Sequence, residues 1–449
     1  MNTQPPLPDE RKQIAHQIFA AALAAADPVA AVERAVTVDG QTISIAGFGV
    51  TSSDAPRNVF AVAIGKAALT MASGLDQGLG SALRAGAAVG LTPEAGQRSA
   101  QLPDRWTVLN GGHPLPNENS FHAGRVLVEF VQKLDRPNSA LIFLISGGGS
   151  ALVELPVDPR ITVQDLAAVN SLVLANSVPI REVNVVRRAL SAIKGGGLVR
   201  YAPLALKIGL IVSDTNPKDE GSVASGPTFP VPTTGPTAAD VLRRHALWDR
   251  ASPVVREMLS AQRPAIVADA ASELVRNHVL LSSDDALAGA ATAARELGFQ
   301  VILADDICEQ EISAGCRALV ERFRAPELTR PVCLLSAGEF RTPVAGTGRG
   351  GRSTETALRL AITLTDGSGS PTVFTGMLAG TDGIDGNCPA AGGVIDERTL
   401  LRANSLGLDP QKYLVHSDSY SFFDSLGDAV VTGPTGTNVR DLRIVLGWP

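Results

Sequence analysis

An α/β fold in two domains is predicted by three features of the sequence. Runs that are apolar at nearly every position end in polar or glycine-rich turns: 140–145 ends in Ser146-Gly147-Gly148-Gly149-Ser150, and 204–213 ends at Asp214. Such runs suit strands covered on both faces, as in a parallel sheet. These runs alternate with helical patterns, the order of a Rossmann-like parallel sheet with flanking helices. Finally, 449 residues exceed one ordinary core. The division expected is 1–236 and 237–449, the second domain again α/β, with the Pro/Gly/Thr tail of the long loop 214–237 as the crossing.

Each element has its own signal. Ile14, Ile18, Phe19 and Leu23 at helical spacing predict a helix over 10–26, stopped by Asp27-Pro28. A strand over 57–64 is followed by Gly65-Lys66 and an Ala-rich helix through 72. Weaker strands fall at 85–91 and 106–110, the second running into Gly111-Gly112-His113-Pro114. A helix over 119–133 precedes the glycine loop. Helices over 163–176 and 182–193 follow it, and Lys194-Gly195-Gly196-Gly197 interrupts them. In the second half, strands at 278–281, 300–303, 331–337 and 372–378 alternate with helices at 284–297, 308–324 and 353–365.

Composition narrows the function classes. Aromatic residues make up only 4%, the net charge is −6 and the pI is near 5.6, which together argue against a nucleic-acid partner. Cys308, Cys316, Cys333 and Cys388 form no C-x-x-C pair, so a zinc site is not expected. Four cysteines in a chain this long suit a reducing compartment. The N-terminus lacks a basic, apolar-cored leader, and no uninterrupted apolar run has membrane-spanning length. The expectation is a cytoplasmic protein acting on a small molecule, with no membrane partner; a homodimer stays open.

The chemistry-bearing stretches sit at predicted strand ends. Ser146, Gly147, Gly148, Gly149 and Ser150 can turn their N–H groups and hydroxyls toward phosphate, though a plain tight turn explains them equally. No Gly-Lys-Ser/Thr follows, and no G-x-G-x-x-G is present, so neither a P-loop nor a dinucleotide site is indicated. Lys66 opens a helix, where its charge opposes the macrodipole unless an anion joins it. Arg181, Arg187, Arg188 and Lys194 form a basic cluster, read either as a solvated face or as a ligand-reaching group. Asp214 ends a strand, where α/β sheets place their sites, and could hold Mg²⁺ or take a proton. Asp219 and Glu220 suit loop solvation better.

In the second half, Glu339 follows a strand, and Gly346-Thr347-Gly348-Arg349-Gly350-Gly351-Arg352 leads into a helix bearing Glu355. Two arginines in a glycine loop suit a polyphosphate or a carboxylate, and a solvated loop is the alternative. Asp382 and Asp385 could ligate Mg²⁺, or could cap a turn. The stretch 432–438 reads as an ordinary turn. His113 is the histidine of interest, its role open, and no G-x-S-x-G elbow supports serine hydrolase chemistry.

Taken in order, these stretches resemble the class II glycerate 2-kinases, whose C-terminal module is called MOFRL. The resemblance is carried by Gly65-Lys66-Ala67, His113-Pro114, ISGGGSAL (145–152), REVNVVRRALSAIKGGG (181–197), ASGPT (224–228), GGR (350–352), TDGIDG (381–386) and TGPTGTNVRDL (432–442). It implies ATP- and Mg²⁺-dependent phosphorylation of D-glycerate at its 2-hydroxyl, in a cleft between the domains. The family's important lysine matches Lys66 and its glycine-loop arginine matches Arg352. On that footing Lys66, Arg352 and Asp214 are the catalytic candidates. Ser146 to Ser150 with Lys194 would bind ATP phosphates, and Lys66, Arg187, Arg352 and Glu339 the substrate. Asp214, Asp382 and Asp385 would hold the metal.

Two loops depart from the family pattern. Arg352-Ser353-Thr354-Glu355 stands where Arg-Asn-Gln-Glu is usual. Thr215-Asn216-Pro217-Lys218-Asp219 replaces a Val-Pro-Gly-Asp-Asp pattern, which puts Lys218 in an acidic position. Some relatives carry a hydroxypyruvate reductase label, which the missing dinucleotide fingerprint does not support. A phospho-ligand sensor without turnover is the third reading.

Overall fold

The structure is a computed structural model of the chain. It describes residues 5–53, 55, 57–91, 101–176, 178–216, 219–230, 234–261, 275–325, 329–365 and 373–449. Two compact units emerge, Pro28–Leu280, and Met1–Asp27 with Leu281–Pro449. This differs from a division at 236/237. Helices Ala238–Arg244 and Pro253–Ser260 bury Ala239, Val241, Leu242, Val255 and Leu259 in one core with Val169, Val173, Val183 and Val186, so the chain stays with the first unit past 237.

In the unit Pro28–Leu280, helix Pro28–Ala35 precedes an antiparallel meander of β1 (Val36–Asp39), β2 (Thr42–Ile45) and β3 (Phe48–Thr51). A six-stranded sheet follows: β4 (Asn58–Ile64), β5 (Leu83–Gly90), β6 (Trp106–Asn110), β7 (Ser139–Ile145), β8 (Leu206–Val212) and β9 (Val275–Leu281). Its spatial order is β6-β5-β4-β7-β8-β9, with β4 parallel to both β5 and β7, and β5–β6 and β7–β8 also parallel. Counted from the sheet's first strand this is the order 3-2-1-4-5-6, that of the Rossmann fold. Every residue of β7 is buried, which is why its run is apolar without alternation. Ahead of it, helix Glu118–Leu134 starts on Asn117, whose side chain accepts from the Ser120 N–H at 3.1 Å.

In the other unit, helix Pro8–Ala25 lies on helix Ser283–Glu296. A Cβ on Gly289 would stand 2.4 Å from Ala25 Cβ, so glycine permits this approach. By length and composition 8–35 could cross a membrane. It is broken at Asp27-Pro28, however, and Ala15, Ile18, Phe19 and Ala22 are buried within the protein. The sheet contains β10 (Gln300–Leu303), β11 (Val332–Gly338), β12 (Val373–Gly380), β13 (Gly392–Asp396), β14 (Ala429–Val430) and β15 (Asp441–Trp448). Its order is β10-β11-β15-β12-β13-β14. Only β10–β11 is parallel; β11–β15, β15–β12, β12–β13 and β13–β14 are antiparallel.

Alternation in the second half therefore does not produce a wholly parallel sheet. The last strand inserts between β11 and β12, although Arg443 interrupts its apolar run. That guanidinium is buried and satisfied: it donates to the Gly338 carbonyl at 2.7 Å and Ser336 Oγ at 2.9 Å, and stacks 3.7 Å over the Phe340 ring.

Candidate active site

In the unit Pro28–Leu280, β4 and β7 end level, with Ile64 opposite Ile145, so Gly65 and Ser146 leave the sheet together. The chain order diverges between these two strands, and such a switch point is where an open parallel sheet forms its binding crevice. The two turns are locked to each other. Lys66 N–H donates to the Gly147 carbonyl at 2.8 Å, and Ala67 N–H donates to Ser146 Oγ at 3.0 Å. Gly65 has φ +124°, and a Cβ there would stand 2.2 Å from Ser146 Oγ, so no larger residue fits.

Gly148, at φ +80°, caps the turn Gly149–Leu152. A Cβ on it would meet Lys66 Cγ at 3.0 Å and His113 Nε2 at 3.5 Å. The lysine, the histidine and the glycine loop thus line one spot. His113 follows the end of β6 and precedes a cis proline; the sequence singled it out without placing it here. First-turn N–H groups have no acceptor within their own helix, which leaves the loop's amides suited to an anion. Asp214 follows β8, the strand beside β7.

The basic cluster divides on folding. Lys194 does not reach a ligand: it is 4% exposed and ion-paired with Glu154, itself 2% exposed. Burial lowers the Lys194 pKa, and Glu154 opposes that shift. Its assignment to ATP phosphates is thereby corrected, because a buried ammonium needs a carboxylate nearby. Arg187 donates to Asn170 Oδ1 at 2.8 Å. Arg188 donates to the Gly221 and Ser225 carbonyls at 2.7 and 3.1 Å. Arg181 pairs with Asp219 at 2.7 Å on the surface. Pro217 and Lys218, the departure in this loop, lie outside the described residues.

The other unit builds a second group at one end of its three central strands, where Asp441 is in register with both Gly338 and Gly380. Arg352, the first residue of helix Arg352–Thr365, donates through Nε to Asp441 at 3.1 Å and pairs with Glu339 at 3.0 Å. Burial disfavours its charge, but Asp441 and Glu339 outweigh that and raise its pKa. A Cβ on Gly380 would lie 3.2 Å from Asp382 Oδ1 and 3.5 Å from Asp441 Oδ1, so glycine leaves room between two carboxylates. Asp441 was not singled out in the sequence: it lies past the turn read at 432–438, and it opens β15, a strand not expected from the sequence.

Asp385 is corrected as a metal ligand. It is 4% exposed and accepts from the Ser353 and Thr354 N–H groups at 2.9 and 2.8 Å and from Thr354 Oγ1 at 2.7 Å, capping the helix that carries Arg352. Among the described residues no three His, Cys, Asp or Glu side chains form a metal cluster. All four cysteines are free thiols.

Burial, aided by the like charge of Asp441, pushes the Asp385 pKa up to about 6. Between about pH 4 and 6 the folded chain keeps a proton that the unfolded chain has lost, so stability falls as pH rises through this window. A rise of this size corresponds to about 3 kcal/mol. Asp385→Asn cannot titrate, and its unfolding midpoint measured from pH 4 to 7 should lack this downward slope.

The chain matches the domain of unknown function DUF4147 over residues 14–260 and the MOFRL family over 332–441. It is 33% identical to the D-glycerate 2-kinase of Thermotoga maritima, across 86% of this chain and 90% of that protein. It is 34% identical to an Agrobacterium vitis protein provisionally named a hydroxypyruvate reductase, across 97% and 94%. The crystal structure of Thermotoga maritima glycerate kinase superposes with a TM-score of 0.78 at 30% identity, covering 98% of this chain and all of that one.

Proposed function

Since the chain belongs to the glycerate kinase family, which joins a DUF4147 and a MOFRL domain, we propose that it phosphorylates the 2-hydroxyl of D-glycerate with ATP and Mg²⁺, in the cytoplasm. The chain is a kinase. The observation that supports the proposal most is the switch point itself: a lysine and a histidine against an amide-rich turn, where a parallel sheet takes an anionic ligand.

In this reading the loop Ser146–Ser150 holds nucleotide phosphates through its amides, and Lys66 neutralises their charge. Arg352 is held ready by Glu339 and Asp441, and exchanges one of them for the substrate carboxylate. Asp214 would offer Mg²⁺ a carboxylate in the unit Pro28–Leu280 and Asp382 would offer one in the other unit; Mg²⁺ usually takes only one or two carboxylates from a protein and the rest of its ligands from phosphate and water. Bound Mg²⁺ would shield charge on the transferring group. One cation about 4 Å away contributes roughly 4 kcal/mol at an effective dielectric of about 20. A general base adds roughly 3–5 kcal/mol, so two or three cations outweigh it, as suits loose phosphoryl transfer.

The test is ADP release over a panel of small hydroxy acids, with the position of the new phosphate fixed by NMR. Release with D-glycerate and a 2-phospho product is expected. NADH oxidation by hydroxypyruvate without ADP release would replace this reading with a reductase, and binding without turnover would replace it with a sensor.

A further inference from the structure

Ala224 and Ser225 adopt left-handed backbone conformations, with φ +50° and +61°, just before Gly226 at +70°. Non-glycine residues hold such angles where their surroundings over-determine them, and these cluster at functional sites. Here the surroundings are explicit. Gly195 N–H and Arg188 Nε both donate to the Ser225 carbonyl at 3.1 Å, and Gly196 N–H donates to the Gly226 carbonyl at 2.7 Å. What they hold in place is the Ser225 side chain, which is fully buried and cannot itself touch a ligand.

Ser225 Oγ donates its one proton to Asn184 Oδ1 at 2.9 Å and lies 2.7 Å from Ser150 Oγ. With that proton committed, Ser150 must be the donor in the second bond, so only lone pairs remain on Ser150 Oγ. Ser150 is partly exposed and lies two residues after Gly148, the glycine that meets Lys66 and His113. An oxygen with only lone pairs is a poor neighbour for phosphate and a good one for an O–H group. We propose that Ser225 is a positioning residue that fixes Ser150 as the hydrogen-bond acceptor for the reacting hydroxyl of the acid substrate. This rests on the kinase reading and moves Ser150 from the nucleotide to the acceptor alcohol.

The experiment compares wild type with Ser225→Gly, Ser150→Ala and the double variant. It measures KM for glycerate and ATP, and inhibition by 3-hydroxypropanoate, which lacks the 2-hydroxyl. Ser225→Gly relieves the left-handed strain but takes the donor from buried Asn184 Oδ1, so a thermal melt of each variant accompanies the kinetics to show that it is folded at the assay temperature. Each single variant should raise the glycerate KM about tenfold, the net worth of one hydrogen bond. The double variant should add nothing further, and ATP KM and 3-hydroxypropanoate inhibition should move less than about twofold. Equal weakening of both acids, additive losses, or an unchanged glycerate KM would each overturn the positioning role while leaving the kinase intact. A wild-type chain that phosphorylates no hydroxy acid would overturn the kinase reading and this inference with it.

Discussion

Lys66→Ala is expected to lower kcat/KM for glycerate by about 10²–10³-fold, with the fold unchanged. The magnitude follows from removing one positive charge about 4 Å from a developing anion, worth roughly 4 kcal/mol at an effective dielectric of about 20. The fold should survive because the contacts holding this turn are made by the main chain. Lys66 N–H still reaches the Gly147 carbonyl, and Ala67 N–H still reaches Ser146 Oγ, whatever side chain stands at 66. Lys66→Arg keeps the charge but replaces a compact ammonium with a planar fork, so it should recover activity only in part. Steady-state kinetics with a thermal melt of each variant decides the matter. Near-normal turnover in Lys66→Ala would remove this residue from the chemistry and leave the loop amides as the phosphate site.

The residues around Lys66 also show what the sequence discloses and what it withholds. The unit Pro28–Leu280 was readable because the central strands β4, β7 and β8 of its larger sheet are buried almost throughout, and a run such as ALIFLI has few alternatives. The other unit was harder, since β15 joins the sheet from the far end of the chain with an arginine in its middle, and only the folded partners of Arg443 make that tolerable. The meander of β1 to β3 escaped for a related reason: much of it is exposed, and its apolar signal is faint.

At the candidate site, glycine loops and strand-end charges were legible because conformational freedom and charge are written in residue types. Pairing is not. Lys194 and Lys66 each adjoin a glycine turn, yet one is sealed against Glu154 and the other lines the crevice. Asp382 and Asp385 share one loop, yet Asp385 is engaged by the N-terminus of a helix some thirty residues earlier. Which carboxylate meets which cation depends on long-range packing, and single-chain patterns carry no record of it.

Glu154→Ala should be the most destabilising of the single substitutions considered. Lys194 would keep its buried place but lose its countercharge, a change of about 3–5 kcal/mol when a buried pair is broken on one side. Ser191 Oγ also donates to this carboxylate, and the same segment ties Gly195 N–H to the Ser225 carbonyl, so the loss would loosen the approach to the glycine loop. The sign of the pH response separates a charge effect from a packing defect. Without Glu154, burial acts unopposed and lowers the Lys194 pKa further. Between that lowered pKa and the ordinary lysine value the unfolded chain then binds the extra proton, and stability rises with pH. The deficit of Glu154→Ala relative to wild type should therefore shrink toward alkaline pH, whereas a cavity would leave it constant. Combining Glu154→Leu with Lys194→Met removes both charges at similar volume and should restore most of the midpoint. Denaturant unfolding followed at the first transition reads all three. A double variant no better than Glu154→Ala would show that packing, not the uncompensated ammonium, sets the loss.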